Sequence, residues 1–206
     1  MSLTPPDSPP EPVRQLSLFG TEAADPSVAD LAGLLAGPGD VGRMGRTARL
    51  SIVVDAAWRV HVLVAELAAR GLAASWEATE GRRYAVRTSY TRTLAPLAMA
   101  WLTDVGRKRP PGGFHLNGRR LRLWLAAAGA ADPAGFLLRL GDGDQEWWPT
   151  VRTALATVGL PGALLDPGEG GPAYRITGRR RVTRLAELVG DRPPAAPPAD
   201  WPALPA

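Results

Sequence analysis

The chain has 206 residues, 45% of them hydrophobic, with no cysteine and only two histidines, His61 and His115. That is enough for one packed domain or two small fused ones, and it excludes a disulfide framework, a thiolate metal site and a cysteine nucleophile. The formal charge of +4 is unevenly spread: residues 1–40 hold six acids and one base, Arg14, whereas 41–190 hold 22 bases and 12 acids. A basic body of this kind suits an anionic polymer, and no apolar run is long enough to span a membrane.

Residues 1–26 read as an acidic, Pro-rich tail without the apolar segment of a secretory signal, so a cytoplasmic protein is expected. Ser27 can cap a short helix through Ala36, which Gly-Pro-Gly-Asp (37–40) stops. A strand is predicted over 46–54, then an apolar helix over 56–70 ending at Gly71. A hairpin of 72–78 and 83–90 turns at Glu80-Gly81, and a helix covers about 93–103. Residues 104–117 read as a linker. The same order then returns: helix 118–130, strand 135–141, helix 146–158, hairpin 162–166 with 172–177, and helix 179–189. Residues 191–206 read as a second Pro-rich tail. The expected fold is α/β (α+β), with two pseudo-symmetric helix–strand–helix–hairpin–helix halves at 27–103 and 118–190.

Residues two apart on a strand share a face. That places Ala48, Leu50 and Ile52 towards the helices, with Thr47, Arg49 and Ser51 on the open side. By the same alternation Arg83, Arg87, Arg139 and Arg175 fall on open sheet faces, where Glu77 is the one acid expected. Arg179, in the run Arg179–Arg181 at a helix start, adds a further phosphate contact. These six arginines, Arg49, Arg83, Arg87, Arg139, Arg175 and Arg179, form the candidate double-stranded DNA surface. Arg59 and Arg70 are expected on the intervening helix, away from it.

Gln15-Leu16-Ser17-Leu18-Phe19 resembles the bacterial sliding-clamp-binding motif at all five positions, a match expected by chance on the order of once in a few thousand chains of this length. The resemblance implies that Gln15 offers an amide for hydrogen bonds, that Leu16, Leu18 and Phe19 are apolar anchors with Ser17 between them, and that the partner is the β subunit of the clamp.

The repeated unit resembles the LAGLIDADG homing-endonuclease fold, on Leu31-Ala32-Gly33-Leu34-Leu35-Ala36-Gly37-Pro38-Gly39 and on Leu125-Ala126-Ala127-Ala128-Gly129-Ala130-Ala131-Asp132. The resemblance implies two small-residue helices crossing closely on a pseudo-two-fold axis, with a saddle of sheets for DNA. The family takes a metal-binding carboxylate from the eighth position of each motif. Here that position is Asp132 in the second copy, but Pro38 in the first, with Asp40 two residues on. Cleavage with two metals needs acids from both helices, so the departure implies a platform that holds DNA without cutting it, similar to the WhiA regulators. A metal-dependent nuclease using Asp40 and Asp132, and a clamp-binding scaffold without DNA, are the alternatives. There is no phosphate loop, Ser/His/Asp set or dinucleotide fingerprint, and no cofactor is expected. The sum is a monomeric, nucleoid-associated accessory protein of DNA replication or repair.

Overall fold

The computed structural model describes residues 25–143, 145–167 and 172–204; Gln15–Phe19 and the rest of 1–24 lie outside them. Ser27 begins the fold as expected. Its hydroxyl accepts from Ala29 N at 3.1 Å and the Asp30 carboxylate accepts from Ser27 N at 2.8 Å, a reciprocal cap. The tight turn Val28–Leu31 leads into helix α1 (Ala32–Ala36). Then come strands β1 (Asp40–Met44) and β2 (Thr47–Val54), helix α2 (Ala57–Ala68), strands β3 (Ala74–Thr79) and β4 (Arg83–Thr88), and helix α3 (Ala95–Trp101). The second half repeats this order as α4 (Gly118–Ala128), β5 (Gly129–Asp132), β6 (Gly135–Arg139), α5 (Trp148–Thr157), β7 (Ala163–Leu165), β8 (Ala173–Thr177) and α6 (Arg179–Val189).

Each half forms a four-stranded antiparallel sheet, ordered β1-β2-β4-β3 and β5-β6-β8-β7. The repeat is therefore helix–hairpin–helix–hairpin–helix, with one more strand per half than the sequence suggests. Asp40–Met44 has a single buried residue, Val41, and a central glycine, so it carries no period of its own and becomes a strand by pairing with β2. Gly129–Asp132 reads as more helix because alanine favours helix, yet α4 stops at Ala128 and Gly129 takes extended backbone.

The halves share one core rather than two. Leu34, Leu50, Val86 and Trp101 of the first half belong to the same buried cluster as Trp124, Leu138, Tyr174 and Leu188 of the second. The seam is α1 against α4. A Cβ on Gly33 would lie 1.9 Å from the Arg120 carbonyl oxygen, and one on Gly37 would lie 2.5 Å from the Trp124 ring. Only glycine admits that approach.

Two segments expected to be loose are packed. In 104–117, Leu116 is buried and the Phe114 ring meets Trp101 edge-on at 5.2 Å. After Asp191, Ala196 and Trp201 are buried, and Trp201 Nε1 donates to Gly190 O at 3.2 Å. Arg122 holds the segment in place by donating to Val189 O and Asp191 O and by stacking over the Trp201 ring, 5.2 Å from its centre. The prolines leave only a short 3-10 turn, Pro198–Asp200, but the single tryptophan supplies an anchor that composition conceals.

Candidate nucleic-acid interface

Strand register fixes which side chains share the open face of each sheet, because residues directly paired across strands point the same way. In the first sheet Asp40, Ser51, Arg87 and Ser75 form one row. Arg49 and Gly42 form another, Val53, Ala85 and Glu77 a third, and Arg83 pairs with Thr79. In the second sheet the rows are Ala130, Leu137, Arg175 and Ala163; Arg139, Ala173 and Leu165; and Asp132, Gly135 and Thr177.

Arg49, Arg83, Arg87, Arg139 and Arg175 thus lie on open faces, and Arg179 stands just beyond β8. The faces are less basic than the sequence suggests. Asp40 and Asp132 join Glu77 there, because the two unanticipated strands bring them. Glu77 pairs with Arg87, and Asp132 pairs with Arg175 at 3.2 Å. Arg49 stacks over Tyr90 at 5.0 Å. The second face also carries a small apolar cluster of Leu137, Leu165 and Ala173, which a purely Arg/Thr/Ser face would lack.

At the floor between the sheets is a cavity of about 300 Å³. Pro38, Asp40, Asp55, Ala128, Arg83 and Arg139 line it. Asp132 does not, since it ends the edge strand β5 and is held by Arg175. The structure therefore does not bring Asp40 and Asp132 together. The second helix motif sits one turn earlier than Leu125–Asp132: Gly129 follows α4 and opens β5, as Gly39 follows α1 and precedes β1. Leu121–Gly129 is the counterpart of Leu31–Gly39, and the eighth positions are Pro38 and Ala128.

Cations occupy the helix ends beside these two residues. Lys108 Nζ, on the one lysine of the chain, donates to Gly37 O at 3.0 Å and Gly39 O at 2.8 Å. The Arg59 guanidinium donates to Leu125 O at 3.2 Å, to Ala126 O at 3.0 Å and to Gly129 O, while its Nε binds Asp55 at 2.8 Å. Burial lowers the Arg59 pKa, with Asp55 opposing the shift. Both cations bind backbone carbonyls at or just beyond the two helix C-termini and complement their dipoles; Leu125 O also accepts from Gly129 N. Arg59 is 4% exposed and Arg70 8%, the latter bound to Asp30 and Glu66. Both arginines, expected only to lie away from the sheet faces, are thus parts of the core. Nothing in the spacing Asp55-Ala-Ala-Trp-Arg59 signals this, because the partners of Arg59 are backbone atoms about 70 residues away.

Among solved structures, the homing endonuclease I-WcaI bound to its DNA recognition sequence matches 78% of this chain and 78% of its own, with 12% identity and a TM-score of 0.56. The fold is a LAGLIDADG-like saddle. Two structures of the homing endonuclease I-DmoI, one with DNA and Mn, also match, at 16% identity and a TM-score of 0.43. No protein-family profile and no curated protein matches the chain.

The acid pair that the fold implies for metal does not fit these residues. Pro38 and Ala128 offer no carboxylate, and the helix-end carbonyls are taken by Lys108 and Arg59. Asp40 and Asp55 remain at the floor, but Asp55 is committed to Arg59, with Arg139 at 4.0 Å. No group of three metal-ligating side chains occurs among the described residues. Nor is any described helix long and apolar enough to cross a membrane.

Proposed function

We propose that this protein is a saddle that binds duplex DNA without cutting it, brought to the bacterial sliding clamp by Gln15–Phe19. The observation that carries the reading is the pair of cations, Lys108 and Arg59, on the helix ends between Pro38 and Ala128. A divalent ion placed there would meet two fixed positive charges and no acid from either helix, so two-metal hydrolysis lacks its ligands. The likeness of the fold to I-WcaI, a DNA-bound protein, and the open-face arginines support the duplex as ligand. One chain supplies both halves, so a monomer suffices.

The clamp peptide and the saddle act together. Each contact raises the effective concentration of the other, so two modest affinities combine. A role beside replication or repair enzymes in the nucleoid follows from such a partner.

The test incubates the full chain with end-labelled duplexes in Mg²⁺ or Mn²⁺. Retention at low salt with both strands intact is expected. Metal-dependent nicking that disappears in Asp40→Asn would overturn the reading and promote the nuclease alternative. Clamp capture without any duplex retention would leave only the scaffold.

A further inference from the structure

A concentration of uncompensated charge also lies beyond the sheets. Arg179, Arg180 and Arg181 are all exposed at the start of α6. None of the three has a carboxylate within ion-pair distance among the described residues; on the open faces Arg87 and Arg175 do, while Arg49 and Arg83 do not. The three arginines, with Thr177, Arg184 and Gly159, line an open groove of about 1190 Å³. Arg184 pairs with Glu187, so the groove carries a net charge close to that of Arg179–Arg181 alone.

This groove is continuous with the candidate DNA surface. Thr177 pairs with Gly135 on the open face of the second sheet and also lines the groove. Only Gly178, in an extended left-handed conformation with φ of 89°, separates it from the first arginine. The first half has nothing similar, because the corresponding junction, Ser89–Leu94, holds one base, Arg92.

We propose that Arg179–Arg181 form a one-sided phosphate track that grips the duplex where it leaves the second sheet and adds a distinct share of about three charges to the salt dependence of binding. The proposal rests on the saddle's being a duplex-DNA binder. Arginines that already satisfy a carboxylate release few counterions on meeting phosphate, since part of their charge is neutralised before binding. Three guanidinium groups with no carboxylate partner, Arg181 donating only to Thr177 O at 3.4 Å, release about three. The track has a direction: it extends the contact on one flank only, so the protein sits asymmetrically on its duplex.

The experiment compares the full chain with its Arg179→Ala/Arg180→Ala/Arg181→Ala and Arg179→Lys/Arg180→Lys/Arg181→Lys variants. It reads the salt dependence of affinity for a labelled duplex and the hydroxyl-radical footprint. The alanine variant is expected to flatten the log–log salt slope by about 2–3 and to lose protection on one flank only. The lysine variant keeps the charge and is expected to keep both. An unchanged slope and footprint in an alanine variant that still binds would overturn the track and leave the saddle standing. Failure of the wild-type protein to bind duplex at low salt would overturn the saddle and the track together. Binding of polyglutamate that the alanine variant loses, with the duplex slope unchanged, would assign the groove to an acidic protein instead.

Discussion

Replacing Arg59 with methionine tests whether this side chain ties α2 of the first half to the end of α4 in the second. The methionine stem fills most of the arginine volume, so the change removes hydrogen bonds rather than opening a large cavity. Asp55 is half exposed and rehydrates at little cost. The carbonyls of Leu125, Ala126 and Gly129 lose a buried charged donor. Leu125 O keeps its bond from Gly129 N, so Ala126 O and Gly129 O are the acceptors most exposed to the loss; at about 1–3 kcal/mol for each unsatisfied buried acceptor, with the lost charged network, the cost is about 3–5 kcal/mol. At about 2–4 °C per kcal/mol for a chain of this size, the melting temperature falls by about 6–20 °C. Far-UV circular dichroism on heating measures it. Arg59→Lys, with one ammonium in place of a fork, is expected to lie between the two. A melting temperature within about 2 °C of the wild type would refute the role assigned to Arg59.

Two further substitutions probe the same frame. Gly33→Ala places a methyl group against the Arg120 backbone, which cannot swing aside, so urea unfolding is expected to show a loss of about 2–4 kcal/mol, beyond ordinary overpacking; a loss under 1 kcal/mol would mean that α1 and α4 are farther apart. The Tyr174 hydroxyl is buried, donates to Trp148 O and has its pKa raised to about 12 by desolvation. Because the folded pKa lies above the unfolded value near 10, its contribution is complete below about pH 10 and is lost as pH rises towards 12. Tyr174→Phe is expected to weaken this fall in stability between pH 10 and 12, measured by urea titration at each pH; identical profiles would remove Tyr174 from the account.

The helices and inner strands were legible because period and caps agree. Ser27, Gly71, Asn117 and Gly159 stand at helix ends, and β2 and β4 alternate clearly. The outer strands β1 and β5 were not, since Asp40–Met44 and Gly129–Asp132 gain their conformation from a neighbour rather than from their own residues. That omission moved the second helix motif by one turn and made Asp132 look like a metal ligand. The loss of an acid at Pro38 could be read directly, whereas its counterpart at Ala128 needed the end of α4 to be known. The helix-end cations were hidden for a different reason. Lys108 sits in what reads as a linker and Arg59 in an apolar helix, and both act on backbone carbonyls, which leave no mark in a sequence.

The central claim, that a DNA saddle is tethered to the clamp through Gln15–Phe19, is tested most directly by one affinity measurement. The full chain is titrated onto a labelled duplex with and without a loaded bacterial sliding clamp, alongside its Leu18→Ala/Phe19→Ala variant. The account predicts that the clamp raises wild-type affinity by about 10²-fold or more, that the variant shows no such gain, and that both bind bare duplex equally. Equal gains for wild type and variant, or no gain for either, would contradict it.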